Sequence, residues 1–209
     1  MTGKLKIGFD GKPRCLWPGD LPDYLEYHDH EWGIPVADDY RLFEKICLEG
    51  FQSGLSWLTI LRKRENFREG FANFNFEQVA RFGQREVENL LRNPGIVRHR
   101  KKIESTINNA KRACQMMEEF GTLAAFFWRY EPDASNSIKA NNRNTDFPPN
   151  ITTDSVNLCR DLKKRGWSFI GPTTAYAFMQ AMGMVNDHTE GCFARELTDT
   201  ARRQFSRPA

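Results

Sequence analysis

The stretch Cys47-Leu48-Glu49-Gly50-Phe51-Gln52-Ser53-Gly54-Leu55-Ser56-Trp57 decides how the chain is read. One acid and one glutamine interrupt an apolar run that is rich in small residues. If the run from Leu42 is helical, Glu49 shares a face with Leu42 and Ile46, the face a core would cover. A carboxylate there is costly unless it is paired or used. Gly50, Ser53 and Gly54 leave room beside the acid, and Trp57 offers a flat wall. Acid, space and aromatic wall suit a planar ligand. The alternative is that Glu49 pairs with an arginine and that the glycines only let helices approach or end.

Helical signals surround this stretch. Asp38 and Asp39 can cap a helix over Tyr40 to Leu48, and a second runs from Leu55 to Arg64, with a bend or break near Gly50 and Gly54. Asn75 has cap-like spacing before Val79 to Phe82, and Gln84 to Leu91 stops at Asn93-Pro94-Gly95. A long helix follows from Ile96 to Glu118, then an apolar segment from Leu123 to Trp128. No alternating strand pattern of useful length appears in this half. Residues 131–153 are rich in Asn, Ser, Asp and Pro and read as a loop. A helix from about Asp154 ends at Lys163-Lys164-Arg165-Gly166, where cations and a glycine signal a stop. Pro172 opens the next helix, through Met182. The connection between these two helices, 166–173, exposes backbone N–H groups at a helix start, and such groups bind phosphate.

The ends carry different chemistry. Residues 1–13 read as an extension before the domain proper, and 194–209 as a basic tail after it. Between them, Cys15 with His28 or His30, and His188 with Cys192, supply two thiols and two imidazoles. On a helix His188 and Cys192 would share a face at i and i+4. Two Cys and two His complete a tetrahedral zinc site with no open position, which makes such a site a structural clip rather than a hydrolase centre.

Composition sets the bounds. The 209 residues, 40% of them hydrophobic, suffice for one substantial domain. A formal charge of +3 is too mild to identify a nucleic-acid partner by itself. No run approaches a membrane span, no secretory apolar region opens the chain, and five scattered cysteines do not form a disulfide framework. The expectation is a soluble, cytoplasmic protein without a membrane partner.

Several colinear stretches together carry a resemblance. They are Arg14-Cys15-x-Trp17, Tyr27-His28-Asp29-x-Glu31-Trp32-Gly33, Leu42-Phe43-Glu44, the 47–57 stretch, and Lys63-Arg64-Glu65-Asn66-Phe67. Gly95-Ile96-x-Arg98-His99-Arg100-x-Lys102-Ile103, Leu162 to Gly166, Phe169-x-Gly171, Phe178 to Ala181 and Val185-Asn186-Asp187-His188-x-x-Gly191-Cys192 continue it. Over residues 14–193 the chain resembles the bacterial DNA-3-methyladenine glycosylase I family of the helix-hairpin-helix glycosylase superfamily. The resemblance implies an all-α, helix-hairpin-helix fold whose zinc site joins the N- and C-terminal parts. It implies excision of 3-methyladenine from alkylated double-stranded DNA by a monomer associated with the nucleoid. Its zinc ligands fall on Cys15, His28, His188 and Cys192, which selects His28 over His30. Glu49 is then the acid that hydrogen-bonds the damaged base, Tyr27 also reaches it, Trp57 stacks on it, and Trp17 is a further candidate for the pocket wall. The hairpin residues Lys164, Arg165, Gly171 and Thr173 would hold the DNA backbone. A zinc-stabilised, non-catalytic DNA-damage binder is the competing function, and it has no use for Glu49. Asp187, near the position of the superfamily's usual aspartate, is assigned no role.

Overall fold

The computed structural model describes residues 5–133 and 150–209. Their order is a hairpin, β1 (Leu5–Ile7) and β2 (Pro13–Cys15), then α1 (Pro22–His30), α2 (Asp39–Gln52), α3 (Trp57–Leu61) and α4 (Arg64–Gly70). Next come α5 (Phe76–Val79), α6 (Gln84–Arg92), α7 (Arg100–Phe120) and α8 (Leu123–Phe127). After the undescribed stretch follow α9 (Thr153–Lys164), α10 (Pro172–Ala181) and α11 (Phe193–Gln204). The Asn-rich loop expected at 131–153 lies mostly outside the described residues, as does the start of the 1–13 extension.

The fold is built around α2. Asp38 caps it by accepting a hydrogen bond from the Arg41 N–H at 2.8 Å, and every residue from Leu42 to Phe51 is buried. A helix covered on all sides needs neighbours on all sides, and α2 packs against α3, α7, α8 and α10. The break expected near Gly50 and Gly54 falls at Gly54, whose φ is +80°, since α2 continues past Gly50 to Gln52. Gly50 has a different use. A Cβ there would stand 3.3 Å from the Phe169 carbonyl, so glycine lets α2 approach the α9–α10 connection.

That connection begins with a glycine stop. Gly166 has φ +82°, and the Trp167 N–H reaches back to the Leu162 carbonyl at 3.0 Å, which satisfies the last turn of α9. Asn109 of α7 then pins Ser168 from both sides: its Nδ2 donates to the Ser168 carbonyl at 3.1 Å, and its Oδ1 accepts from the Ser168 N–H at 2.9 Å. With Trp167 and Ile170 buried, the connection is a fixed strap on the core rather than a free loop.

Both ends depart from the sequence reading. Residues 5–15 pair as an antiparallel hairpin, with Leu5 opposite Cys15, although three-residue strands give too short an alternation to detect. The expected basic tail is helical from Phe193 to Gln204 and continues onto the body. Ala194 and Thr198 are buried, and the Phe205 ring lies 4.4 Å from that of Trp128. Arg202 and Arg207 both reach Glu131, at 2.9 and 2.8 Å. The charged residues that suggested a tail form the outer face of an amphipathic helix. No helix among the described residues is long and apolar enough to cross a membrane.

Candidate functional site

The Cys/His cluster is assembled from three separated pieces of chain. Cys15 ends β2, His28 lies in the last turn of α1, and His188 and Cys192 belong to the segment before α11. The helix expected to place these last two at i and i+4 is not formed. Instead the chain turns at Gly191, φ +84°, with the Cys192 N–H bonded to the Thr189 carbonyl at 2.9 Å. All four side chains are buried, and their donor atoms lie within 4.8 Å of one another.

These distances test the fit to a metal. Tetrahedral coordination with N and S at zinc-like bond lengths requires N···N of ~3.3 Å and N···S of ~3.6 Å. The His188 Nδ1 to His28 Nε2 distance is 3.2 Å, and three N···S distances are 3.6, 3.7 and 3.8 Å. The far ring nitrogens are also held: His28 Nδ1 lies 2.7 Å from Asp29, and His188 Nε2 3.0 Å from the Trp32 carbonyl. Such contacts fix which nitrogen faces an ion. Within the pair of thiols, hydrogen bonding between them holds Cys15 well below its ordinary pKa and pushes Cys192 well above it, so one proton is shared between two close sulfurs. Arg14 clamps Asp29 with two 3.0 Å contacts from Nε and also bonds Asp10, tying the β1–β2 hairpin to the support of His28. His30 is exposed and stands outside the cluster.

Beside the cluster, three further candidates converge. Tyr27 and Trp57 are buried with ring centroids 5.3 Å apart, and Glu49 is buried near them. At their centre lies a residue the sequence reading missed, Lys45. Its ammonium donates to the Tyr27 hydroxyl at 2.7 Å, lies 3.0 Å from the Glu49 carboxylate and stands 3.2 Å from the Trp57 ring centroid. The partner of Glu49 is therefore a lysine one turn earlier on the same helix, not an arginine. The signal was a second charge at i−4 on the buried face. Burial raises the Glu49 carboxyl above its usual range, with Lys45 opposing, and lowers Lys45 to about 8, with Glu49 opposing. Burial also pushes the Tyr27 phenol well up, so it stays neutral. The Trp57 indole N–H is buried without a hydrogen-bond partner among the described residues.

Tyr27, Lys45 and Trp57 line a cleft of about 290 Å³, whose walls also include Glu31, Arg64 and Met182. Glu49 does not line this cleft; Lys45 does. Trp17 packs edge-on against Tyr24, His28 and Trp32, at 4.9, 5.3 and 5.1 Å, and so bridges the aromatic cluster and the Cys/His cluster outside the cleft. Asp187 is turned away, accepting from the Tyr176 hydroxyl at 2.6 Å and from Gln180 at 2.7 Å.

The α9–α10 connection is a third region. Gly171 is the N-cap of α10 and Pro172 its first residue, so the N–H groups of Thr173 and Thr174 have no preceding helical acceptor. Thr173 and Lys164 are exposed. Arg165 is engaged, paired with Glu119 at 2.9 Å and lying 4.7 Å over the Phe120 ring.

The chain belongs to the methyladenine glycosylase family, whose model matches residues 17–195. It is 44% identical to DNA-3-methyladenine glycosylase 1 of Escherichia coli (strain K12) across 86% of this chain and 95% of that one. Among solved structures, a crystal structure of 3-methyladenine DNA glycosylase I shares 46% identity and a TM-score of 0.75, with 86% of this chain and 98% of the other covered. A second, from Staphylococcus aureus and concerned with 3-methyladenine recognition, shares 33% identity and a TM-score of 0.77, with 87% and 96% covered.

Proposed function

We infer that this protein is a base-excision repair glycosylase that hydrolyses the N-glycosidic bond of 3-methyladenine in alkylated DNA. Its relatives are named for this activity across nearly their whole length. Within the chain, one observation carries the reading: the Lys45 ammonium touches Tyr27, Glu49 and Trp57 at once. These three groups therefore surround a single site that accepts a cation against an aromatic face. Adenine methylated at N3 is a planar cation, and an enzyme that acts on a base inside a duplex must extrude it and read it by stacking and polar contacts.

The roles follow from chemistry. Trp57 stacks on the extruded base, and Tyr27, kept neutral by burial, supplies a hydroxyl. Glu49 accepts a hydrogen bond and stabilises positive charge on the base or on the sugar as the bond lengthens. Normal adenine is uncharged and loses more by leaving its stack and its pair. Because the methylated base already leaves readily, little acid catalysis is required. Trp17, beside Tyr24 and Tyr27, supports the aromatic wall from outside.

The α9–α10 connection, which we assign to the helix-hairpin-helix class, would hold the DNA backbone. Its support is the pair of free N–H groups at the start of α10 together with Gly171, Thr173 and Lys164. A phosphate contact of this kind positions the duplex without reading its sequence. Arg165 is the weakest member of the set, since Glu119 already holds it. Cys15, His28, His188 and Cys192 would hold zinc, which with four protein ligands supplies no catalytic chemistry and clips the hairpin to the segment before α11. Purified protein incubated with methylated duplex DNA should release 3-methyladenine, and Glu49→Gln should release it far more slowly; equal release by both proteins would remove Glu49 from the mechanism.

A further inference from the structure

Lys45 marks the site in the reading given above but is assigned no step in the reaction, yet it occupies the middle of the site. It is buried, contacts all three groups assigned to the base, and its ammonium stands over the Trp57 ring at a distance that a stacked base would itself need. A base stacked on this face of Trp57 and the Lys45 ammonium in this position exclude one another. We propose that Lys45 is an exchangeable counter-cation of the base pocket: the damaged base enters by displacing it from Trp57 and Glu49, and it returns when the base has lost its charge. The proposal rests on the glycosylase reading and adds a specificity and release step to it.

The charge balance supports exchange in both directions. In DNA the N3-methylated adenine carries a positive charge. When the bond from sugar C1′ to N9 breaks, its electron pair passes to the purine and the base becomes neutral. Water adds its oxygen to C1′ and releases a proton. Before cleavage, a cationic base can replace the lysine as the partner of Glu49. A neutral base replaces it poorly, because Glu49 would lose its ion pair and remain buried. Undamaged adenine meets this obstacle on entry, and the product meets it after cleavage. The structure also provides space for the displaced side chain: Lys45 lines the 290 Å³ cleft together with Glu31 and Glu44, whose carboxylates are paired with Arg64 and Arg68 and would be shared with the incoming ammonium. Lysine has a flexible four-carbon stem, which suits movement between two carboxylate neighbourhoods.

Two measurements test this. Lysine Cε-labelled wild-type protein should show one side-chain resonance displaced by the Trp57 ring current, which moves toward the ordinary lysine position as free 3-methyladenine is added. Removing the competing cation in Lys45→Met, or in Lys45→Gln where a polar contact is kept, should make free 3-methyladenine about tenfold stronger as an inhibitor of excision. It should also slow repeated turnover relative to the first turnover, because product is retained. A lysine signal that stays in place while the base inhibits would overturn the exchange, and so would variants whose inhibition is unchanged or weaker. If the wild-type protein releases no 3-methyladenine at all, the glycosylase reading fails instead, and the two failures are told apart.

Discussion

At the scale of single residues, the site depends on charge held out of water. Glu49 and Lys45 lie 3.0 Å apart inside the core. Breaking such a pair by removing one partner leaves the other buried and uncompensated, and the cost is about 3–5 kcal/mol. Glu49→Gln keeps the shape and a hydrogen-bonding group, so a folded protein is expected, with excision reduced by about 10²-fold or more. The carboxylate also sets a pH dependence. Burial disfavours the charged form and raises Glu49 above its ordinary 4.5, and the role proposed for Glu49 uses the charged form. The acid limb of kcat/KM should therefore lie above pH 4.5, activity should fall as pH drops through it, and residual activity of Glu49→Gln should lack that limb. A limb at the same pH in both proteins would assign it to another group.

Much of this was legible at residue level. An acid on the buried face of an apolar run marked Glu49 as a group that needs a partner or a use, and it is buried and paired; Trp57 lay eight residues on in the same stretch. Lys45 lies in the same run, but a lysine four residues before a glutamate reads as an ordinary solvated helix pair until the helix is seen to be buried on every side. Two charges at i and i+4 on one buried face imply a pair before they imply a site. The spare space expected from Gly50 and Gly54 was assigned to the wrong side. Gly50 faces the Phe169 carbonyl, and Gly54 turns the chain after α2. No one-dimensional pattern distinguishes a glycine that makes room for a ligand from one that makes room for a backbone.

At the scale of elements, caps and stops marked by Asp, Asn, Pro or Gly were legible because they are local. The helix expected from Ile96, by contrast, starts at Arg100 behind a His99 cap, and the one expected over Leu55 to Arg64 is split into α3 and α4. Asp38, Asn75 and Pro172 each begin a helix, and Gly166 follows the end of one. Gly166 at φ +82° admits a Cβ only with strain, and that Cβ would also meet Arg112 Nε at 3.0 Å. Gly166→Ala should lower stability by about 1–2 kcal/mol, seen as a reduced urea midpoint with an unchanged slope. No change in midpoint would mean that the strap relaxes without cost. Elements stabilised by distant contacts were not legible. The β1–β2 hairpin depends on Arg14 with Asp10 and Asp29, and on Cys15 in the cluster, rather than on its own three-residue strands. Likewise, the convergence of His188 with Cys192 comes from a turn at Gly191, not from a helix face.

At the scale of the whole molecule, two closures hold the ends of the chain to the helical core. One is the Cys/His cluster, in which β2, α1 and the segment before α11 meet. If zinc occupies it, prolonged chelation should lower Tm by an amount that reflects about 3 kcal/mol or more, and make Cys15 and Cys192 reactive to thiol reagents. Metal analysis of the purified protein should give one ion per chain, and a protein free of metal with an unaltered Tm would contradict the clip. The other closure is the end of the chain. Phe205 lies against Trp128, while Arg202 and Arg207 share Glu131. Phe205→Ala should cost about 1–2 kcal/mol in unfolding experiments, where a peripheral tail would show no change.

On the proposed reading, the pocket around Tyr27, Glu49 and Trp57 receives an alkylated base and Glu49 assists its release. The most direct test is chromatographic separation of free bases released from methylated duplex DNA by the wild-type protein and by Glu49→Gln. The expected result is 3-methyladenine as the released base, little 7-methylguanine, and a large loss of release in the variant. Retained binding to damaged DNA with no base released by the wild-type protein would contradict it and leave a damage-binding protein in its place.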